Sequence, residues 1–193
     1  MARIGAEERR QDFIEATIKV IAEHGIANAT TRRIAAAADS PLASLHYVFH
    51  TKEDLFYAVY ESLINLPQQS LVQAPAGATT AESVGEMLRQ LVKWFIAHPE
   101  RAITQFELFF WNLRNDPEMA AKIYAVSIEA TQQAIQKATA DALDQTALTT
   151  VSRLLINLFD GLLLSWTAHC DPERIKTETE TACKAVELLV ASY

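Results

Sequence analysis

The sequence predicts an all-α protein of about nine helices. Apolar residues return every three or four positions along most of the chain, the signature of helices with one buried face. Glycine and proline are scarce, at five and six in 193 residues, too few to punctuate many short strands. Half of the residues are hydrophobic and 21% are charged, enough apolar material for a core and the wrong composition for a disordered tail. Two cysteines, Cys170 and Cys183, make no disulfide framework and fit a reducing compartment. Residues 1–10 are charged and lack a signal peptide's apolar centre. The most apolar stretch, Leu154 to Trp166, is interrupted by Asn157 and Asp160 and is too short to cross a bilayer. A cytoplasmic protein with no membrane partner is expected.

The first helix carries Phe13, Ile14, Thr17, Ile18, Val20 and Ile21 on its buried side and ends at Gly25, where a left-handed residue lets Ile26 fold back. Thr30 or Thr31 caps a short second helix over Arg32–Ala38, which ends at Asp39. Ser40 as cap and Pro41 in the first helical position then open a third, held by Leu45 and Phe49. Thr51 caps a fourth, with Glu53 and Asp54 favouring its positive end and Leu55, Val59, Leu63 and Leu66 inside, up to Pro67. Residues 68–80, with Pro75 and Gly77, read as the one linker. Five longer helices follow, over about 81–97, 100–115, 117–142, 147–169 and 172–191, separated at His98-Pro99, Asp116-Pro117 and Asp171-Pro172. No internal repeat is visible.

Charge divides the chain unevenly. Residues 1–52 carry seven Lys/Arg against six acids, and residues 53–193 carry ten against eighteen, within a net charge of −7. If the protein binds a polyanion, the near-neutral first quarter must do so while the acidic remainder points away. That quarter also holds two short helices meeting at Ala38-Asp39-Ser40, the geometry of a helix-turn-helix, with Ala35–Ala38 permitting close approach. The second of these helices exposes Pro41, Leu42, Ser44, His46 and Tyr47, small and hydrogen-bonding groups that suit base edges in a major groove. Thr31, Arg32, Tyr47 and Lys52 around it suit phosphate oxygens, whose contacts set register. Arg33 reads as a solvated surface charge. The plain alternative is a three-helix packing unit with no nucleic-acid role and Tyr47 in its core.

The run from Thr30 to Leu55, TTRRIAAAADSPLASLHYVFHTKEDL, resembles the DNA-binding signature of the TetR (tetracycline repressor) family of bacterial transcriptional regulators over about residues 10–60. It departs from that pattern at Asp39 and Ala43, where the family usually has glycine, at His46 in place of a tyrosine, and at Val48 in place of a histidine. Asp39 places a negative charge near DNA, to be turned inward as a cap or to weaken non-specific binding. The resemblance implies a DNA-binding domain at 1–52 and an effector-binding and dimerisation domain at 53–193, with 53–66 as the linking helix.

Aromatic residues crowd positions 81–171. Most fill a core; Phe106, Phe110, Arg114 and Asn157, followed by Trp94, His98 and Trp111, are the candidates for an effector pocket. Leu154, Leu155, Leu158, Leu162, Leu163 and Trp166, with Ile175, Ala182, Val186, Leu189 and Val190, give the last two helices more apolar surface than one face requires, which a two-fold dimer would bury. The stripe Asn157, Asp160, Gly161, Leu164 lines either the pocket or the dimer seam. His169-Cys170-Asp171 diverge on a helix and form neither triad nor metal site, and Gly77 and Gly85 are isolated, so no catalytic residue, metal or cofactor is expected. The expected function is a homodimeric one-component regulator, a repressor or an activator. It would bind a near-palindromic double-stranded DNA operator and respond to a small-molecule effector. The rival is an all-helical ligand-binding or protein-interaction module without DNA binding.

Overall fold

Most of the helices begin where a Thr or Asp side chain takes up orphan N–H groups. A computed structural model of the chain describes residues 5–70, 77–140 and 142–193, the side chains of 66–70 excepted. Among the described residues there are nine α-helices and no strand: α1 Ala6–His24, α2 Thr31–Ala37, α3 Leu42–Val48, α4 Lys52–Ser70, α5 Thr80–Ala97, α6 Pro99–Asn115, α7 Pro117–Thr139, α8 Gln145–His169 and α9 Pro172–Val190. Thr30 caps α2 by accepting from Arg33 N. At α4, Asp54 N donates to Thr51 Oγ1 and Thr51 N to Asp54 Oδ2, each at 3.0 Å, a reciprocal box. Thr79 and Glu82 do the same for α5. Asp144 and Asp171 cap α8 and α9.

Several boundaries move by one or two residues from the expectation, and three of the differences have a local cause. The third helix starts at Leu42, not Pro41; the Ser40 hydroxyl does not cap it but donates back to Ala38 O at 3.2 Å. The fourth runs through Pro67 to Ser70, because a helix-interior proline costs about 3 kcal/mol and one hydrogen bond without forbidding continuation. Leu66, assigned to its buried edge, lies outside the described side chains. The seventh stops at Thr139, because Ala140 turns left-handed at φ 50°. Of the linker expected at 68–80, residues 68–70 belong to α4 and Thr80 to α5, residues 71–76 lie outside the described residues, and Gly77 stands at φ 89°.

The chain forms two compact units, 1–63 with 100–120, and 64–99 with 121–193. In the first, Phe13, Ile14, Ile18, Ile21, Ile34, Leu45, Phe49, Leu55, Val59 and Leu63 share one core with Leu108 of α6. Polar bonds seat α6 against α1: Thr104 Oγ1 donates to Ile18 O at 3.1 Å, Ile26 N donates to Glu107 Oε2 at 3.1 Å, and Arg101 pairs with Glu15 at 2.7 Å. Gly25, at φ 75° and ψ 155°, ends α1 and lets Ile26 turn inward.

In the second unit α5, α8 and α9 pack on one another, with Val84, Leu88, Val92, Phe95, Val151, Leu155, Leu163, Cys183 and Val186 inside. Cys183 Sγ donates to Gly85 O at 3.3 Å, and burial pushes its thiol up to about 11. Arg89 of α5 ties α9 through Glu180 at 2.8 Å. The α8 helix spans 25 residues and, contrary to the shorter stretch read from sequence, is long and apolar enough to cross a membrane. Half of its apolar window is buried inside the protein, as a core helix would be.

Candidate nucleic-acid interface

The tight turn between α2 and α3 is what presents α3 outward. Asp39 adopts φ 47°, and Asp39 N and Ser40 N donate to Ala36 O and Ala35 O, which closes α2 and redirects the chain. The Asp39 side chain is exposed and does not turn inward as a cap. Leu45 is buried and pins α3 to the core, with Phe49 buried just beyond its end. The opposite face holds Pro41, Ala43, His46 and Tyr47, all exposed. Tyr47 is 83% exposed, so its ring is outside the core and has only solvent as a neighbour on most sides.

Two of the residues expected to be exposed are half-buried instead. Leu42 packs on the edge of the core, because a helix beginning at Leu42 rotates that side chain inward. Ser44 is half-buried and accepts a bond from Arg9 Nη1 at 3.4 Å. Thr31 is half-buried at the start of α2, and Arg32 is exposed. Arg33 is also exposed, its guanidinium donating to Asn28 O at 3.0 Å. Lys52 opens α4 with Nζ 4.8 Å above the Phe56 ring, and desolvation lowers its ammonium below the ordinary value against the opposing pull of Glu53.

Arg9 and Arg10 of α1 were not among the residues singled out from sequence. Arg9 reaches Ser44 of α3, and Arg10 lies 5.5 Å over the Phe49 ring. The adjacent pair Arg9-Arg10 was the available signal; that it lies beside α3 is a tertiary fact.

The effector candidates do not gather in one unit. Phe106, Phe110, Trp111 and Arg114 lie on α6 in the first unit, and Trp94, His98 and Asn157 in the second. Trp111 packs edge-on against Phe56 at 5.6 Å, so its ring serves the core of the first unit. Phe110 and Arg114 are exposed and Phe106 is half-buried. His98 caps the end of α5, stacked 4.4 Å from Trp94 with Nδ1 2.7 Å from Trp94 O. Asn157 Oδ1 accepts from Tyr124 Oη at 2.9 Å. His169, Cys170 and Asp171 diverge, with Cys170 left-handed at φ 50° and Asp171 spent on capping α9. No group of three His, Cys, Asp or Glu side chains suited to a metal ion occurs among the described residues.

Residues 13–59, which hold the last two thirds of α1, all of α2 and α3 and the start of α4, match the family model of bacterial regulatory proteins of the tetR family. This segment belongs to the tetR family of bacterial regulatory proteins. The whole chain is 26% identical over 178 residues to the HTH-type nicotine-responsive transcriptional repressor HdnoR of Paenarthrobacter nicotinovorans, covering 90% of this chain and 91% of that one. Among solved structures it is similar to the multidrug binding protein EbrR complexed with ethidium, at 28% identity and a TM-score of 0.66, covering 94% and 98% of the two chains. It is also similar to a TetR-family member from Streptomyces coelicolor A3, at 27% identity and a TM-score of 0.71, over 94% and 98%. It is a transcriptional regulator with a helix-turn-helix, and it is not an enzyme.

Proposed function

We propose that this regulator is a homodimeric repressor. Each subunit lays α3 in a major groove of a near-palindromic operator, and a small organic effector bound in the C-terminal helices releases the DNA. The observation that carries the reading is the outward face of α3, where Tyr47 and His46 stand exposed beside Pro41. An aromatic ring left in water has gained nothing from folding, whereas in a groove it adds apolar contact and a hydroxyl for phosphate. Arg9, Arg32 and Lys52 supply positive charge around that face, and Thr31 supplies a hydroxyl. Of the proposed base-reading set, Pro41, His46 and Tyr47 are freely accessible; Leu42 and Ser44 act from its half-buried edge.

The dimer is supported by apolar surface that the subunit leaves in water. Leu164 of α8 is 45% exposed and Leu188 of α9 is 67% exposed. Asn157 and Gly161 lie on the same exposed side of α8 as Leu164, and a glycine there permits close approach of a second backbone. A two-fold pairing of α8 and α9 buries this face and sets the two α3 helices about one DNA turn apart, ~34–36 Å, or slightly more. The functional division into a DNA-binding part at 1–52 and an effector and dimer part at 53–193 belongs to this proposal, as does action in the cytoplasm, where the DNA is. The relatives named for a ligand are a nicotine-responsive repressor and a multidrug binding protein, so an organic effector is the natural choice. Release requires that the effector bind the non-binding arrangement more tightly, since equal affinity shifts nothing.

The test is a gel shift of the purified protein against the DNA upstream of its own gene at two salt concentrations. A retarded complex that weakens as salt rises is expected; no complex at low salt overturns the reading and favours the ligand-binding module. Lys52→Ala should weaken binding to every sequence and reduce the slope of log K against log salt by about one unit. An unchanged slope removes Lys52 from the phosphate contacts. His46→Ala should instead alter which bases are tolerated, measured on a library of operator variants, at about 1–3 kcal/mol per affected pair. A uniform loss across the library removes it from base reading.

A further inference from the structure

The start of α9 does not close fully on α5. Between them, with the end of α8 as a third wall, lies a cleft of about 310 Å³, a size that holds a small organic molecule. The two helices run antiparallel across it. Cys183 bonds to Gly85 and Glu180 to Arg89, which brings Lys93 level with Lys176 and Ile96 level with Pro172. The cleft is therefore graded along its length. One end is apolar, with Ile96, Trp166, Pro172 and Ile175 around it, and the other is polar, with Lys93, Lys176 and Thr179. The two lysines are exposed at the rim on facing helices, and neither forms an ion pair among the described residues. Lys176 feels the charge of Glu180, the one carboxylate in the lining, but that group is already held by the Arg89 guanidinium at 2.8 and 2.9 Å. Thr179 is only 6% exposed. On the same helix Thr177 and Thr181 donate to carbonyls one turn back, whereas the Thr179 hydroxyl makes no hydrogen bond among the described residues. Burial takes water from it and folding supplies no replacement.

We propose that this cleft binds an amphipathic monoanion, a carboxylate on a short alkyl body. Its head sits among Lys93, Lys176 and Thr179, and its body lies along Ile96 and Trp166. Two lysines brought level without a counter-ion, and a hydroxyl without a partner, are what a carboxylate satisfies together. A cation of the same shape meets the lysines and finds the one carboxylate spent on Arg89. A neutral molecule gains the apolar end and nothing from the lysines. Inorganic anions gain the lysines and leave the apolar end in water. The site is separate from the effector candidates read from sequence, none of which lines it. It is also separate from the face proposed for the dimer. Trp166 lies two residues beyond Leu164, roughly 200° round α8, and Thr179 lies roughly 180° round α9 from Leu188. Pairing through Leu164 and Leu188 thus leaves the cleft open.

The experiment compares octanoate with octyltrimethylammonium and octanol, which share a tail and differ in head charge, each kept below the concentration at which micelles form. Binding to the full chain is followed by calorimetry and by tryptophan fluorescence, with Trp166→Phe to show which of the three tryptophans reports. Octanoate should bind at least about tenfold more tightly than the ammonium or the alcohol and change the fluorescence only while Trp166 is present. Thr179→Val keeps the shape and should lower octanoate affinity about tenfold or more, as when a hydrogen bond to a charged group is lost. Thr179→Ser should keep most of the affinity. Lys93→Gln combined with Lys176→Gln should cost about three- to tenfold, the usual range for two exposed ion pairs, and remove most of the salt dependence. Circular dichroism checks that each variant keeps its helices. Failure of octanoate to bind, equal binding of octanoate and either partner molecule, or an affinity untouched by both Thr179→Val and the double lysine variant each overturns the proposal. A fluorescence change that persists in Trp166→Phe places the molecule elsewhere and does the same.

Discussion

Replacing Leu108 with alanine lowers the stability of the N-terminal unit by about 3–5 kcal/mol and abolishes DNA binding, although the residue is far in sequence from α3. Leu108 is fully buried in the core that Phe13, Ile21, Leu45 and Leu55 build. Truncating a buried leucine removes its transfer free energy and leaves a cavity that a well-packed surround closes only in part, for a usual cost of about 2–5 kcal/mol. The upper part of that range is expected here because α6 is held in place by its own bonds, Thr104 to Ile18 O, Glu107 to Ile26 N and Arg101 to Glu15, and cannot slide inward to fill the gap. A unit of this size has only about 5–15 kcal/mol in total, so the loss populates states in which α3 is no longer fixed. Urea unfolding followed by circular dichroism measures the first part and a gel shift the second. Leu108→Met, which nearly conserves volume, should cost less than about 1.5 kcal/mol and keep DNA binding. An alanine variant within about 1 kcal/mol of wild type would mean that α6 is not part of the core that positions α3.

That role of α6 is the part of the fold that sequence does not reveal. Periodicity says which side of a helix is apolar and is silent about what that side meets. Phe106, Phe110 and Trp111 therefore read as pocket candidates, yet Trp111 lies against Phe56, and the neighbouring Leu108 is a core residue of the helix-turn-helix unit. Local chemistry was far more legible. Thr30 and Thr51 as caps, Asp39 as the left-handed turn and the breaks before Pro99, Pro117 and Pro172 all follow from backbone sterics within a few residues. The Thr79-x-x-Glu82 box was equally local and marks the true start of α5, one residue before the expected Ala81. Of the interface, the outward set Pro41, His46 and Tyr47 follows from Leu45 and Phe49 facing inward. The burial of Leu42 and Ser44 and the approach of Arg9 depend on where α1 crosses α3, which no spacing encodes.

Asp160→Asn is expected to make the protein more stable at neutral pH, by up to about 3 kcal/mol at pH 7.5, and to make little difference near pH 4. The carboxyl moves from an ordinary value of 3.8 to about 6 on folding. Between those values the folded protein therefore binds more protons than the unfolded chain, and stability falls as pH rises through the window. Below 3.8 both states are protonated and the cost is absent; above 6 both are ionised and it is complete, about 1.4 kcal/mol for each unit of the shift. Asparagine matches the shape of aspartate and stays neutral, so it removes the cost at high pH and changes little at low pH. Urea unfolding of the two proteins at pH 7.5 and at about pH 4.5 gives the difference directly. A variant less stable than wild type at pH 7.5 would mean that the carboxylate is held by a favourable partner and acts as a structural group. The expected gain has the opposite meaning: the charge on Asp160 costs the fold stability at neutral pH because burial strips it of water.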